Sequence, residues 1–245
     1  MKYRYRFKTY LSQFPKWTYS MAGEDALISH LIKHRAGTKQ IGFVNIGAAH
    51  PVLLNDTYSL TRKLRKKNQL RLCVSVDPRP DLLWLWKLIR PKDKFINALV
   101  SDEPHAEFYF NQFDSHNSSS NLQWAQGLSK SVKDGSRIKV LRPAITTLKA
   151  IYASDDSFLD CPREEIYSVL LIDVEGFELN VLKTNDWIAH SPDLIVIEIC
   201  FPSQIGLHDF SLDRLNSSAT HEYLVEKNYA YYGGNGFSQF YLKCE

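Results

Sequence analysis

Four short segments hold the residues whose types and spacing could do chemistry: Asn45-Ile46-Gly47-Ala48-Ala49-His50-Pro51, Val76-Asp77-Pro78-Arg79-Pro80, Val100-Ser101-Asp102-Glu103 and Ile172-Asp173-Val174-Glu175-Gly176-Phe177-Glu178. Taken singly, a glycine after an apolar run is an ordinary tight turn and an acidic residue there an ordinary helix cap. Their order along one chain points to an adenosine-containing cofactor. The small Gly47-Ala48 turn lets backbone approach a ligand closely. The Asp77 carboxylate can accept two hydrogen bonds from a ribose diol. Asp102 can take the exocyclic amine of adenine. A dinucleotide fits less well, because the Gly-x-Gly-x-x-Gly fingerprint is missing and the first turn offers a single glycine where a pyrophosphate wants several. S-adenosylmethionine has no phosphate, and its sulfonium favours nearby carboxylates.

The elements that must position these residues follow from the apolar pattern. Short buried-type strands are expected at Ile41 to Ile46, Arg71 to Val76, Lys94 to Val100, Tyr167 to Val174 and Asp193 to Ile199, with Arg137 to Leu141 extended. Helices are expected at Ala22 to His34, Asp56 to Lys67, Asp81 to Ile89, Thr147 to Tyr152, Leu179 to Trp187 and Leu212 to Lys227. Tyr229 to Tyr232 and Phe237 to Leu242, joined by Gly233-Gly234-Asn235, read as a closing hairpin. The alternation implies a doubly wound α/β fold with a mostly parallel sheet covered on both faces and an antiparallel edge. Ligands of such sheets sit at the carboxyl ends of the strands, where all four segments fall.

With 245 residues and no Pro/Gly/Ser-rich linker, a single domain is expected, with residues 1–20 as an N-terminal extension and residues 111–136 as a polar loop. That loop contains Asn117-Ser118-Ser119-Ser120-Asn121 and reads either as an acceptor lid or as disorder. Composition is that of ordinary globular proteins, 44% hydrophobic and 23% charged, which argues against disordered and fibrous classes. The net charge of +3 gathers in local runs. Arg62-Lys63-Leu64-Arg65-Lys66-Lys67 reads as a solvated helix face, and Met1 to Lys8, basic and aromatic by turns, either touches an anionic partner or packs on a neighbouring subunit of a homo-oligomer. Cys73, Cys161, Cys200 and Cys244 form no Cys-x-x-Cys pair. With no signal-peptide pattern and no apolar run approaching ~20 residues, a cytoplasmic protein without a membrane span is expected.

The sequence resembles the FkbM-type methyltransferases. The likeness starts at Tyr19-Ser20-Met21-Ala22-Gly23-Glu24-Asp25 and continues through Gly47-Ala48-Ala49-His50-Pro51, Thr57-Tyr58, Asp77-Pro78-Arg79-Pro80, Arg90-Pro91-Lys92-Asp93 and Ser101-Asp102. It ends in Asp173-Val174-Glu175-Gly176-Phe177-Glu178 and Pro192-Asp193-Leu194-Ile195-Val196-Ile197-Glu198. Met21, Asn45 and Asp56 stand where that family usually has Gln, Asp and Asn. The resemblance implies a seven-stranded Rossmann-like methyltransferase sheet and O-methyl transfer from S-adenosylmethionine to a sugar, sugar nucleotide or related hydroxylated metabolite. It carries Glu24, Ile46, Gly47, Ala48, Asp77, Pro78, Ser101, Asp102 and Asp173 into cofactor binding.

For the chemistry, His50, Asp173, Glu175 and Glu198 are all expected at strand ends beside the cofactor. His50 is the natural general base, with the alternative of a histidine satisfying backbone in a turn. Asp173 and Glu175 are the other catalytic candidates. Together with Glu198 they can instead hold Mg or Mn, both suited to oxygen ligands. Glu178, Asn180 and Lys183 are expected on a surface helix. Two other readings use the same fold: an RNA methyltransferase or RNA-binding module, against which the modest charge argues, and an inactive methyltransferase-like scaffold.

Overall fold

A computed structural model of the chain describes residues 18–111, 118–122, 125, 138–154, 162–199 and 211–244. Its strands are β1 (Gln40–Ile46), β2 (Leu70–Val76), β3 (Lys94–Ile96), β4 (Leu99–Val100), β5 (Phe108–Asn111), β6 (Ile138–Leu141), β7 (Ile145–Thr146), β8 (Ile166–Ile172), β9 (Leu194–Glu198), β10 (Tyr229–Gly234) and β11 (Ser238–Lys243). The helices are α1 (Glu24–Arg35), α2 (Tyr58–Lys66), α3 (Leu83–Ile89), α4 (Leu148–Ala153), α5 (Glu178–Lys183), α6 (Leu212–Asn216) and α7 (Ala219–Glu226).

Seven strands form one sheet in the order β10-β11-β9-β8-β1-β2-β3. The five from β9 to β3 are parallel, and β11 joins β9 antiparallel. This is the doubly wound, Rossmann-like sheet with a closing hairpin that the sequence implied. The strands alternate between two cores, as a side-chain period of two requires. Val44, Val74, Leu170 and Ile195 face one way, toward Leu148, Val181 and Leu224 of α4, α5 and α7. Phe43, Cys73, Leu171 and Val196 face the other way, toward Ile28, Leu31 and Leu60 of α1 and α2. Burial on both faces explains why these strands read as continuous apolar runs rather than alternating ones. The chain leaves β1 for β2 on one side and later returns to β8 on the other, so a crevice opens at the carboxyl ends of β1 and β8.

Three elements depart from the expectation. The strand foreseen at Lys94 to Val100 breaks after Ile96: Asn97 Nδ2 donates to the Asp77 carbonyl at 2.9 Å, and β4 leaves the sheet to pair with β7. The helix foreseen at Leu212 to Lys227 breaks at Ser217-Ser218. Ser217 Oγ donates to the Arg214 carbonyl at 2.9 Å and Ser218 is extended, since short hydroxyl side chains compete for backbone groups. In the hairpin, Gly233 and Gly234 lie inside β10, and the bend falls at Asn235, whose Oδ1 accepts from the Phe237 and Ser238 amides. Residues 1–17 and most of the 111–136 loop lie outside the described residues. No helix among the described residues is long and apolar enough to cross a membrane.

Candidate active site

Gly47 is what allows β1 and β8 to converge. Its φ is +78°, in the left-handed region, and a Cβ there would stand 1.7 Å from the Asp173 carbonyl oxygen. Only glycine meets both conditions. The Gly47 and Ala48 amides both donate to the Val76 carbonyl, at 2.9 and 3.1 Å, which draws the turn over the end of β2.

There Asp77 fastens two loops. Its Oδ2 accepts from the Ala49 amide and its Oδ1 from the Arg79 amide, each at 2.9 Å. The side chain is buried, and burial raises its pKa against the lowering effect of those two amides. Each oxygen keeps a second lone pair, so the carboxylate can also serve a diol in the crevice.

The loop from Ala48 to Thr57 is braced from behind. Trp86 Nε1 donates to the Ala49 carbonyl at 2.9 Å, and Asn55 Nδ2 to the Ala48 and His50 carbonyls, both at 3.0 Å. Arg90, buried and stacked on Trp86, donates to Asn55 Oδ1 and Thr57 Oγ1 at 3.0 Å and pairs with Asp93 at 2.5 Å; Arg65 pairs with Asp93 from the other side. The Arg90-Pro91-Lys92-Asp93 segment thus holds the loop from beneath and lines no part of the cleft.

The cleft encloses about 1160 Å³ including its open mouth. Among the described residues its lining is sharply asymmetric in charge: Glu24, Asp56, Asp77, Asp173, Glu175 and Glu198 against one cation, Arg79. Arg79 is mostly buried, pairs with Asp81 at 3.0 Å and stacks on Phe110. Carboxylates crowded into a partly desolvated crevice hold their protons more tightly. Burial, with Glu24 next in weight, pushes Asp56 up to about 7. Burial and the neighbouring Asp173, with which it shares a hydrogen bond, hold Glu198 well above the carboxylate range. One ligand oxygen from each of Asp173, Glu175 and Glu198 lies within 4.8 Å of the others, so the trio expected as a cation site does assemble.

Of the residues expected to hold the cofactor, Glu24, Ile46, Gly47, Asp77, Pro78 and Asp173 line the cleft. Ala48 lines a small adjoining cavity with Asp56 and Asp173, while Ser101 and Asp102 line neither. Ser101 Oγ accepts from the Glu103 amide at 3.0 Å, the bond of a turn. His50 stands apart from the cleft lining, and its Nδ1 accepts from the Val52 and Leu53 amides at 3.1 and 2.9 Å. That geometry is the turn-satisfying alternative: a ring whose Nδ1 serves two amides carries its neutral-state proton on Nε2 and has no free lone pair to act as a base. Glu178 corrects the surface expectation. It is buried, its Oε1 accepts from the Gly176 amide at 2.9 Å, and burial, opposed by that bond and reinforced by Asp173, pushes it up to about 7. It anchors a bend in which Glu175 takes a left-handed φ of +55°.

One acidic residue of the cleft was not foreseen, and two expected parts of it take on more definite contacts. Asp56 registered only as a departure from the family pattern, yet it lies in the cleft wall. Ser118 and Ser120, from the described part of the polar loop, line the cleft, and Ser119 Oγ donates to the Glu175 carbonyl at 2.7 Å. Glu24, buried at the start of α1, accepts from the Ala22 amide and from Asn235 Nδ2 at 2.7 Å, joining the first described helix to the closing hairpin.

The sequence profile of the methyltransferase FkbM domain matches residues 45–229, a span that runs from the end of β1 into β10 and contains most of this lining. No curated protein and no solved structure matches the chain.

Proposed function

Because the chain belongs to the FkbM methyltransferase family, we propose that it is an S-adenosylmethionine-dependent O-methyltransferase acting on a hydroxyl of a sugar, sugar nucleotide or related small metabolite. The observation that carries this reading is the pairing of Asp77 with the Gly47 turn at the switch point of the sheet. A carboxylate with lone pairs to spare lines the cleft beside a turn that only glycine can make, since a Cβ at position 47 would meet the Asp173 carbonyl. A diphosphate cofactor fits poorly: no helix begins until Tyr58, so no helix N-terminus meets the turn, and the six carboxylates would repel it. The same carboxylates suit a cationic sulfur and argue against a nucleic-acid backbone.

When bound, the cofactor supplies an activated methyl group on a good leaving group. The chain's own task is to align a hydroxyl and receive its proton. Alignment in a closed crevice is worth several kcal/mol, and a positioned base ~10²–10⁴-fold. Asp173 and Glu175, at the end of β8, are the acceptors for that proton, with Glu198 sharing a proton with Asp173 and tuning its basicity. The closeness of the three carboxylates also supports a second use: with Mg or Mn between them they would polarise the hydroxyl directly. The seryl side chains of Ser118 and Ser120 suit an acceptor rich in hydroxyls.

The test has two stages. Calorimetry with S-adenosylhomocysteine should show binding in the wild type, with loss in Asp77→Ala. Mass spectrometry of a panel of sugars and sugar nucleotides incubated with S-adenosylmethionine should then show a mass gain of one methyl. Absence of cofactor binding sinks the enzymatic reading, and the inactive-scaffold alternative takes its place.

A further inference from the structure

At the other end of the sheet, by the amino ends of β1 and β2, a groove runs between α1 and α2. The two helices line it with the same spacing. Ile32, Lys33 and Ala36 come from α1 and its end, and Leu60, Lys63, Leu64 and Lys67 from α2 and its end. Ile41 closes the floor and Lys39 the rim, so the groove is apolar below and ringed by four lysines above. No carboxylate lines it. None of the four lysine side chains has a hydrogen-bond or ion-pair partner among the described residues.

A simpler account is that lysines complement the helix C-termini, which both point this way. Each helix end carries about half a negative charge, so two supply roughly one against four lysines. About three positive charges are left over, on a chain whose net charge is +3 in all. The two cavities thus differ in charge, with carboxylates in the lining of the cleft and lysines in the lining of this groove. The enclosed space, about 780 Å³ with its mouth, is within the range of small-ligand sites.

A bare inorganic anion would use only the rim, and a hydrocarbon only the floor. We propose that the groove binds an amphiphilic phosphate, its apolar stem against Leu64, Ile32 and the aliphatic arms of the lysines and its phosphate among the ammonium groups of Lys33, Lys39, Lys63 and Lys67. The site is separate from the methyltransferase cleft, and its occupancy does not depend on the reaction assigned there.

Titration of the full chain with octyl phosphate and with inorganic phosphate tests the proposal. Octyl phosphate should bind roughly tenfold tighter or more, since each buried methylene adds to affinity, and binding should weaken as ionic strength rises. The Lys63→Glu/Lys67→Glu double variant should lose roughly tenfold or more, with S-adenosylhomocysteine binding unchanged and only a small fall in melting temperature from the acidic residues at the α2 C-terminus. A second pair, Lys33→Gln/Lys39→Gln, should weaken binding in the same direction and keeps the test sound if charge reversal disturbs folding. With octyl phosphate bound, sedimentation with phosphatidylglycerol but not phosphatidylcholine vesicles assigns the phosphate to a membrane surface, and no sedimentation assigns it to a free ligand. Octyl phosphate binding no tighter than inorganic phosphate, or equally well to both variant pairs, overturns the proposal.

Discussion

Asp77 Oδ2 and the Ala49 amide meet at 2.9 Å, so the residue proposed to hold the ribose also fixes the loop that shapes the crevice. Asparagine cannot do both, because its amide group would face one of the two backbone N–H groups that Asp77 now satisfies. Asp77→Asn is expected to cost about 1–3 kcal/mol of stability in urea unfolding. Its affinity for S-adenosylhomocysteine should fall by roughly ten- to a hundredfold by calorimetry, the equivalent of one or two such bonds.

Gly47→Ala sets a methyl group against the Asp173 carbonyl in a backbone conformation that alanine resists. The loss should reach about 2 kcal/mol or more, since the obstructing atom is backbone and cannot rotate away. Circular dichroism during denaturation measures it. Cofactor binding should vanish under conditions where the variant is still folded, because pushing the two backbones apart distorts the cleft wall from Ile46 to Gly47 and from Asp173 to Val174.

Asp56 and Glu178 are both held near 7 in the folded chain, well above their unfolded values of 3.8 and 4.5. Protonated carboxyls therefore favour the fold. Their contribution is complete below about pH 4 and is lost as pH rises through about 7. The unfolding free energy measured in urea should fall between about pH 5 and about pH 8, by on the order of 1–2 kcal/mol after allowing for the partial exposure of Asp56, and Asp56→Asn should flatten the slope. Binding of the cationic cofactor should strengthen over the same rise in pH, and binding of its uncharged product much less. An equal pH response for both would contradict an electrostatic role for Asp56.

Asp173→Asn and Glu175→Gln should lower turnover by ~10²-fold or more with S-adenosylhomocysteine still bound, whereas His50→Ala should act mainly through the loop it braces. Treatment with a chelator, followed by Mg or Mn, separates the two uses of the carboxylates. Loss and recovery of activity supports an ion held by Asp173, Glu175 and Glu198, and indifference leaves the proton-acceptor role alone.

Arg90→Met removes the bridge among Asn55, Thr57 and Asp93, though Arg65 still reaches Asp93. A loss of about 3 kcal/mol is expected, at the lower end for breaking a buried pair. Since Arg90 touches no part of the cleft, any fall in cofactor affinity should track the loosening of the loop and be reversed by stabilising osmolyte.

The central strands were legible because burial on two faces writes itself as an unbroken apolar run, as in Val169 to Ile172 and Leu194 to Ile197. The Gly47 turn and the Asp77 position followed from those strand ends. The break after Ile96 was not legible, because it depends on β7, far along the chain. Glu178 was misread for a related reason: its helical position looked exposed, and only the tertiary bend at Gly176 turns it inward. Arg90 and Asp93 were noticed as a motif, yet nothing in their spacing tells a buried brace from a ligand-binding pair. Asp56 differs from its expected counterpart by one atom type, and the chemistry of that change appears only when Glu24 and Asp173 are brought beside it.

The bond between Glu24 and Asn235 spans 211 positions of sequence. One wall of the cleft is therefore borrowed from a part of the chain made long after Gly47 and Asp77. During synthesis, Gly47 and Asp77 emerge early but remain without Phe237 and Ser238 opposite them until the hairpin has been made. A nascent polypeptide halted before β11 gains no stabilisation from a ligand in the cleft, so ligand-assisted folding waits for the hairpin.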